Sequence, residues 1–179
     1  MECKSDIRMS SEQSNVGSVS TGEAARTAEV PITLRLIGIA MFSGFVGMVS
    51  MMPVLVGLPA LLDLFSTAPI VRFSSFGSFL GLEPSLALGI ALFVVGGTLF
   101  LPVQFLVVGA YLPPEEPRYA RGVTYTLIYW IAFVMVFLPN AGALAVGVFL
   151  LVSMLYHVFY GLALGYLIDR WAEIPQHAV

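Results

Sequence analysis

The side chain best placed to do chemistry is His157. It stands mid-way along an apolar run from about Ala143 to Ile168, where an ionisable group is costly unless it has a partner or a role. At four-residue steps Ser153, His157, Gly161 and Gly165 fall on one helical stripe. The imidazole then points along a groove of small residues that another helix, or the edge of a haem or quinone, can approach closely. The purely structural alternative is that His157 hydrogen-bonds Gln104, Thr98 or a backbone carbonyl of a neighbouring helix. With no second histidine in the apolar runs, bis-imidazole haem ligation within one protomer is excluded, which leaves a methionine or a dimer-related histidine as a second axial ligand.

Other groups offer less. Met41, Met48, Met51 and Met52 cluster on one apolar run, and converging thioethers bind copper(I). The alternative is that flexible methionines fill irregular packing near Pro53. Cys3 is the only cysteine, so neither an intramolecular disulfide nor a multi-thiolate metal site is available. Paired catalytic carboxylates, a Ser/His/Asp set, a histidine metal cluster and a phosphate-binding glycine loop are all missing from the sequence. No enzyme with its own active site is expected, no metal site is assigned, and no cofactor is fixed.

The elements that would position these groups are set by composition. Hydrophobic residues make up 58 % of the 179 and charged residues 11 %, against about 25 % charged in soluble domains. The expected fold is therefore an all-α integral membrane bundle of four transmembrane helices at about 32–62, 85–112, 122–138 and 143–168, each near or beyond the roughly 20 residues that a span requires. Pro53 and Pro59 give the first span an irregular exit, and Pro102 interrupts the second. Pro113-Pro114-Glu115-Glu116-Pro117 cannot continue a helix and forms an aqueous connector, and Pro139-Asn140-Ala141-Gly142 forms a tight turn.

Between spans one and two, Asp63 and Glu83 bracket a mixed segment. Ser66 or Thr67 caps a short helix opened by Pro69, Gly81 stops it, and Phe73, Phe76 and Phe79 recur every third residue on one face. The segment reads as interfacial or re-entrant, with a plain loop as the alternative. Spacing-four pairs of small residues, Ala40/Gly44, Ser43/Gly47, Ser85/Gly89, Ala143/Gly147 and Gly161/Gly165, mark helix-packing stripes. Asp169 and Arg170 offer an ion pair at the end of the last span.

Residues 1–30 are polar and low in apolar content, which predicts a disordered tail ahead of a membrane domain over 31–171; residues 172–179 form a second short tail. No apolar core of a secretory signal lies near the start. With four spans, Lys4, Arg8, Arg26, Arg35, Arg118, Arg121 and Arg170 share one side and Arg72 alone the other. The positive-inside rule then puts both termini in the cytoplasm of a cell-membrane protein. A net charge of −3 without any basic cluster argues against nucleic acid as a partner. The partners expected are the lipid bilayer and other membrane subunits or further copies of the chain.

Gly44-Phe45-Val46-Gly47 followed by Met51-Met52-Pro53, and the run Tyr156-His157-Val158-Phe159-Tyr160-Gly161-Leu162-Ala163-Leu164-Gly165-Tyr166, resemble a family of small uncharacterised four-helix membrane proteins, the DUF6789-like proteins. The resemblance covers the membrane part. Members of that kind are sometimes labelled as subunits or neighbours of haem-copper cytochrome oxidases, which implies an accessory role, since one histidine cannot furnish a catalytic oxidase subunit. The leading expectation is thus a non-catalytic accessory or assembly subunit of a membrane complex, with a haem-copper terminal oxidase as the complex the resemblance implies. The alternatives are a small transporter or channel acting as a homo-oligomer, drawing on the broken spans, and a haem- or quinone-binding membrane protein using His157.

Overall fold

The computed structural model describes residues 33–61 and 66–172. The expected N-terminal tail, Asp63 and the chain beyond Ala172 lie outside them. The described residues form helices α1 (Leu34–Leu61), α2 (Ala68–Phe73), α3 (Leu86–Tyr111), α4 (Ala120–Phe137) and α5 (Ala143–Ala172), with no strand among them. Four of these, α1, α3, α4 and α5, are long and apolar enough to cross a membrane. Even the shortest, α4 at 18 residues, extends about 27 Å at 1.5 Å per residue, close to the hydrocarbon thickness.

Local chemistry sets the helix ends. The Thr33 hydroxyl accepts the Leu36 amide at 3.2 Å and opens α1, and Ser85 does the same for Leu88 at the start of α3, also at 3.2 Å. Each satisfies an amide that has no partner within its helix. Two helices widen internally. In α1 the Leu58 amide bonds the carbonyl of Pro53, and in α3 the Leu101 amide bonds that of Gly96, five residues back rather than four. A proline follows two residues after each wide turn, Pro59 after Gly57 and Pro102 after Phe100. Proline lacks an amide and its ring presses on the preceding turn, so the widening relieves a clash that a regular helix would retain.

Between α1 and α3, α2 runs directly into a 3₁₀ turn over Ser74–Leu80 that ends at Gly81, whose φ of 73° suits a residue without a β-carbon. The buried Ser74 hydroxyl accepts the Ser85 amide at 2.9 Å and donates to Val71 O at 2.6 Å, fastening this segment to the first turn of α3. The three phenylalanines differ in burial. Phe73 turns inward between Phe93 of α3 and Phe137 of α4, with ring centroids 6.4 and 5.8 Å away. Phe76 touches Phe73 but is half exposed, and Phe79 is 88 % exposed. The 3₁₀ turn starts at Ser74, and residues three apart eclipse in such a turn, so the every-third spacing is kept while burial falls along the segment from Phe73 to Phe79.

The four long helices run antiparallel to their neighbours. Close backbone approach joins α3 to α1, α1 to α5 and α5 to α4. Small residues make this possible. A β-carbon on Gly122 would collide with the Gly161 carbonyl, and one on Gly165 with the Tyr119 carbonyl, so α4 and α5 meet backbone to backbone. Gly44 of α1 faces Pro102 and the carbonyls of Gly97 and Thr98, and Gly47 faces the Tyr160 ring. Between α3 and α4 the principal backbone approach is at residues 109–111, and long side chains bridge the remainder.

Replacing Gly165 with Leu should therefore lower stability in detergent by at least about 2 kcal/mol, the scale of forced overpacking. Gly147→Leu, where an added β-carbon meets nothing within 4 Å, should unfold at the wild-type denaturant concentration. Equal midpoints for the two variants would contradict the packing described.

Candidate functional site

His157 lies where α5 crosses α4. Its Nδ1 sits 2.8 Å from the carbonyl of Ser153 on its own helix, and because a carbonyl only accepts, Nδ1 carries the proton and Nε2 keeps its lone pair. The partner is thus not Gln104, Thr98 or a neighbouring helix. The same residue is fixed through its backbone, since the Thr126 hydroxyl lies 2.9 Å from the His157 carbonyl, with Val123 O at 3.1 Å as its other acceptor. The imidazole packs beside Phe133 and Tyr156, with ring centroids 5.2 and 4.8 Å away. One turn earlier, Trp130 Nε1 donates to Ser153 Oγ at 2.9 Å, and Ser153 Oγ donates to Leu150 O at 3.1 Å. The small residues of the stripe divide the work: Gly161 and Gly165 admit α4, and Ser153 receives the indole.

A second polar group bridges α3 and α4. Gln104 Oε1 accepts the Tyr129 hydroxyl, and the Tyr125 hydroxyl lies 3.3 Å from the same oxygen and 3.0 Å from Leu101 O. The rings of Phe105, Tyr125 and Tyr129 run along this seam at centroid spacings of 5.2 and 5.0 Å. Across the core, the buried Tyr160 hydroxyl of α5 donates to Gly97 O at 2.5 Å. In the widened register, Gly97 O is the carbonyl that the amide of residue 102 would reach. Residue 102 is proline, and the tyrosine hydroxyl supplies the missing hydrogen bond. Thr98 Oγ1, in the same wide turn, is buried and has no partner.

The methionines do not converge. Met48 and Met51 are buried in the core, with Met48 Sδ against Gly97, whereas Met41 is exposed on the outside of α1. This arrangement is packing around the wide turn, not a thioether cluster. Gly89 faces Ile70, so it admits the segment that follows α1 rather than another long helix. Asp169 and Arg170 make no ion pair; among the described residues, Arg118 and Glu116 do, at 3.4 Å in the exposed connector.

Arg121 is the residue whose role sequence reasoning missed. In the sequence it counts only as a charge that sets orientation, but it is 7 % exposed and directs its guanidinium at carbonyls of the preceding connector and of the last turn of α3. It reaches Pro114 O at 2.8 Å, Ala110 O at 3.2 Å and Glu115 O at 3.3 Å. The planar fork of five donors suits several acceptors at once. The available signal was a proline-rich loop, unable to bond its own carbonyls, followed within a turn by an arginine.

A family model described as "Family of unknown function (DUF6789)" matches residues 34–179, and its description carries no oxidase assignment. No curated protein and no solved structure matches the chain.

Tyr160→Phe removes the cap on Gly97 O and should cost about 1–3 kcal/mol, the penalty for an unsatisfied buried acceptor. Unfolding in mixed micelles would register it, and a wild-type midpoint would show that the carbonyl finds another donor. Arg121→Gln should expose the 112–119 connector, and limited proteolysis at Arg118 several times faster than in the wild type is the expected readout.

Proposed function

Since the chain belongs to the DUF6789 family of unknown function, we propose that it serves as a non-catalytic accessory or assembly subunit of a larger membrane complex. One observation carries this reading: the hydroxyl and amide side chains at the helix crossings, Thr98 excepted, are used by the bundle itself. The hydroxyls of Tyr160, Thr126 and Ser153 each donate to a backbone carbonyl, and Gln104 is shared by two tyrosines. These groups hold helices together, and the outward apolar faces, with Phe42, Phe45 and Val49 on α1 and Ile128, Ile131 and Met135 on α4, are available to lipid and to neighbouring spans. The resemblance in sequence directs attention to respiratory complexes as partners. A second reading, a small homo-oligomeric transporter or channel, draws on the two wide turns and the unpartnered Thr98 hydroxyl.

Both termini and the 112–119 connector are assigned to the cytoplasm in this reading, on the charge asymmetry, and the α2 segment to the outer interface.

Purification of the full chain through a C-terminal tag in mild detergent should bring down the same membrane subunits in fixed ratio. Recovery of the chain alone would refute the accessory role, and solute flux in liposomes carrying it would replace that role with transport. For orientation, a membrane-impermeant maleimide should label Cys3 only after the membrane is opened. In a Cys3→Ser background, Ser78→Cys should label in intact cells. The reverse pattern would invert the assignment.

A further inference from the structure

The α4–α5 crossing carries one lone pair that the bundle does not use. His157 is held by the Nδ1 bond to Ser153 O, by Thr126 on its own carbonyl, and by the rings of Phe133 and Tyr156. Donation of Nδ1–H to a backbone carbonyl is the arrangement by which proteins orient metal-ligating histidines and raise the basicity of the other nitrogen. Nε2 has no hydrogen bond, yet the one buried side-chain nitrogen or oxygen without a partner among the described residues is Thr98 Oγ1. His157 Nε2 therefore reaches the surface of the bundle, near the middle of α5, at a depth where lipid tails offer it no donor.

An electron-pair acceptor must then come from within the membrane. A bare metal ion needs several protein ligands, and the four long helices contain no other histidine, no cysteine, and no carboxylate except Asp169 near the end of α5. A metal that binds here must bring its equatorial ligands with it. A porphyrin does so, supplying four nitrogens and leaving the axial positions open. Neutral imidazole suits iron, whereas magnesium prefers oxygen. Phe133 and Phe149, both partly exposed, with ring centroids 5.9 Å apart and nearly parallel, provide an apolar aromatic border for a flat macrocycle.

We propose that His157 Nε2 is an axial ligand for the iron of a porphyrin seated against the α5 surface beside Phe133. The bond is a simple donation of the Nε2 lone pair to iron, and Nδ1 keeps its proton. The site belongs to the isolated chain and does not require the complex proposed above, so either proposal can fail without the other.

The test is a titration of the detergent-purified full chain with hemin alone. Saturation at one hemin per chain with a shifted Soret band is expected, and so is an iron–imidazole stretch in the resonance Raman spectrum of the ferrous form. His157→Ala should weaken binding at least about tenfold, the smallest loss typical even of outer-shell changes, and added imidazole should restore the shift. His177→Ala, in the tail, should bind as the wild type does. The wild-type Raman spectrum reports ligation without any variant, so a poorly folding His157→Ala leaves the test intact. No iron–imidazole stretch, undiminished binding by His157→Ala, or loss of the shift in His177→Ala would each overturn the proposal. Absence of the stretch would leave Nε2 to a hydrogen-bond donor on a neighbouring helix.

Discussion

The hydrogen bond from Tyr160 to the carbonyl of Gly97 is the contact on which the bundle depends. In hydrocarbon, every backbone polar group must be satisfied by protein, because water is not there to do it. Pro102 breaks that rule for α3, and the break is repaired from another helix altogether. For the hydroxyl to arrive, α5 must lie against α1 with the Tyr160 ring over Gly47, and α1 must lie against α3 with Gly44 over Pro102. One unsatisfied carbonyl thus fixes the mutual placement of three helices, and α4 is added by the glycine contact at Gly122, Gly161 and Gly165.

The two ends of the α3–α4 seam are closed differently. At one end Phe73 fills the space between Phe93 and Phe137, so the segment after α1 acts as a wedge held by Ser74. At the other, Arg121 collects the carbonyls of Pro114 and Glu115, which the proline-rich connector cannot bond internally, together with that of Ala110 at the end of α3. Between them Gln104, Tyr125 and Tyr129 span a gap too wide for backbone approach. Aromatic hydroxyls do this well, since they carry a donor far from the main chain on a side chain with few rotatable bonds.

Much of this was legible in the residues. The apolar runs separated by prolines and charges predict four long helices, and the all-helical fold has four of that kind. Gly81 as the stop of the short segment follows from composition alone, and its positive φ agrees. What was not legible are facts of pairing. Nothing local marks Tyr160 as the donor for Gly97, sixty-three residues away, and nothing local says that Phe73 alone of the three phenylalanines turns into the bundle. His157 stands out by its type, but type alone does not say that its partner is the Ser153 carbonyl, one turn back on its own helix. Arg121 is ambiguous in the sequence because a charge near a helix end counts equally well as a topology signal and as a clamp.

The wide turns in α1 and α3 have a bearing on the chain's history. A residue in a regular helix advances about 100° around the axis, and each wide turn takes up one extra residue over a single turn. Beyond Gly57 and beyond Phe100 the helix faces therefore run on as though one residue had never been counted. A single-codon gain or loss elsewhere in these helices would swing every following side chain from core to lipid. Within Pro53–Gly57 the loss of one residue would return the turn to the regular repeat and keep the faces beyond it in register, whereas the length of Gly96–Phe100 is held by the contact at Gly97.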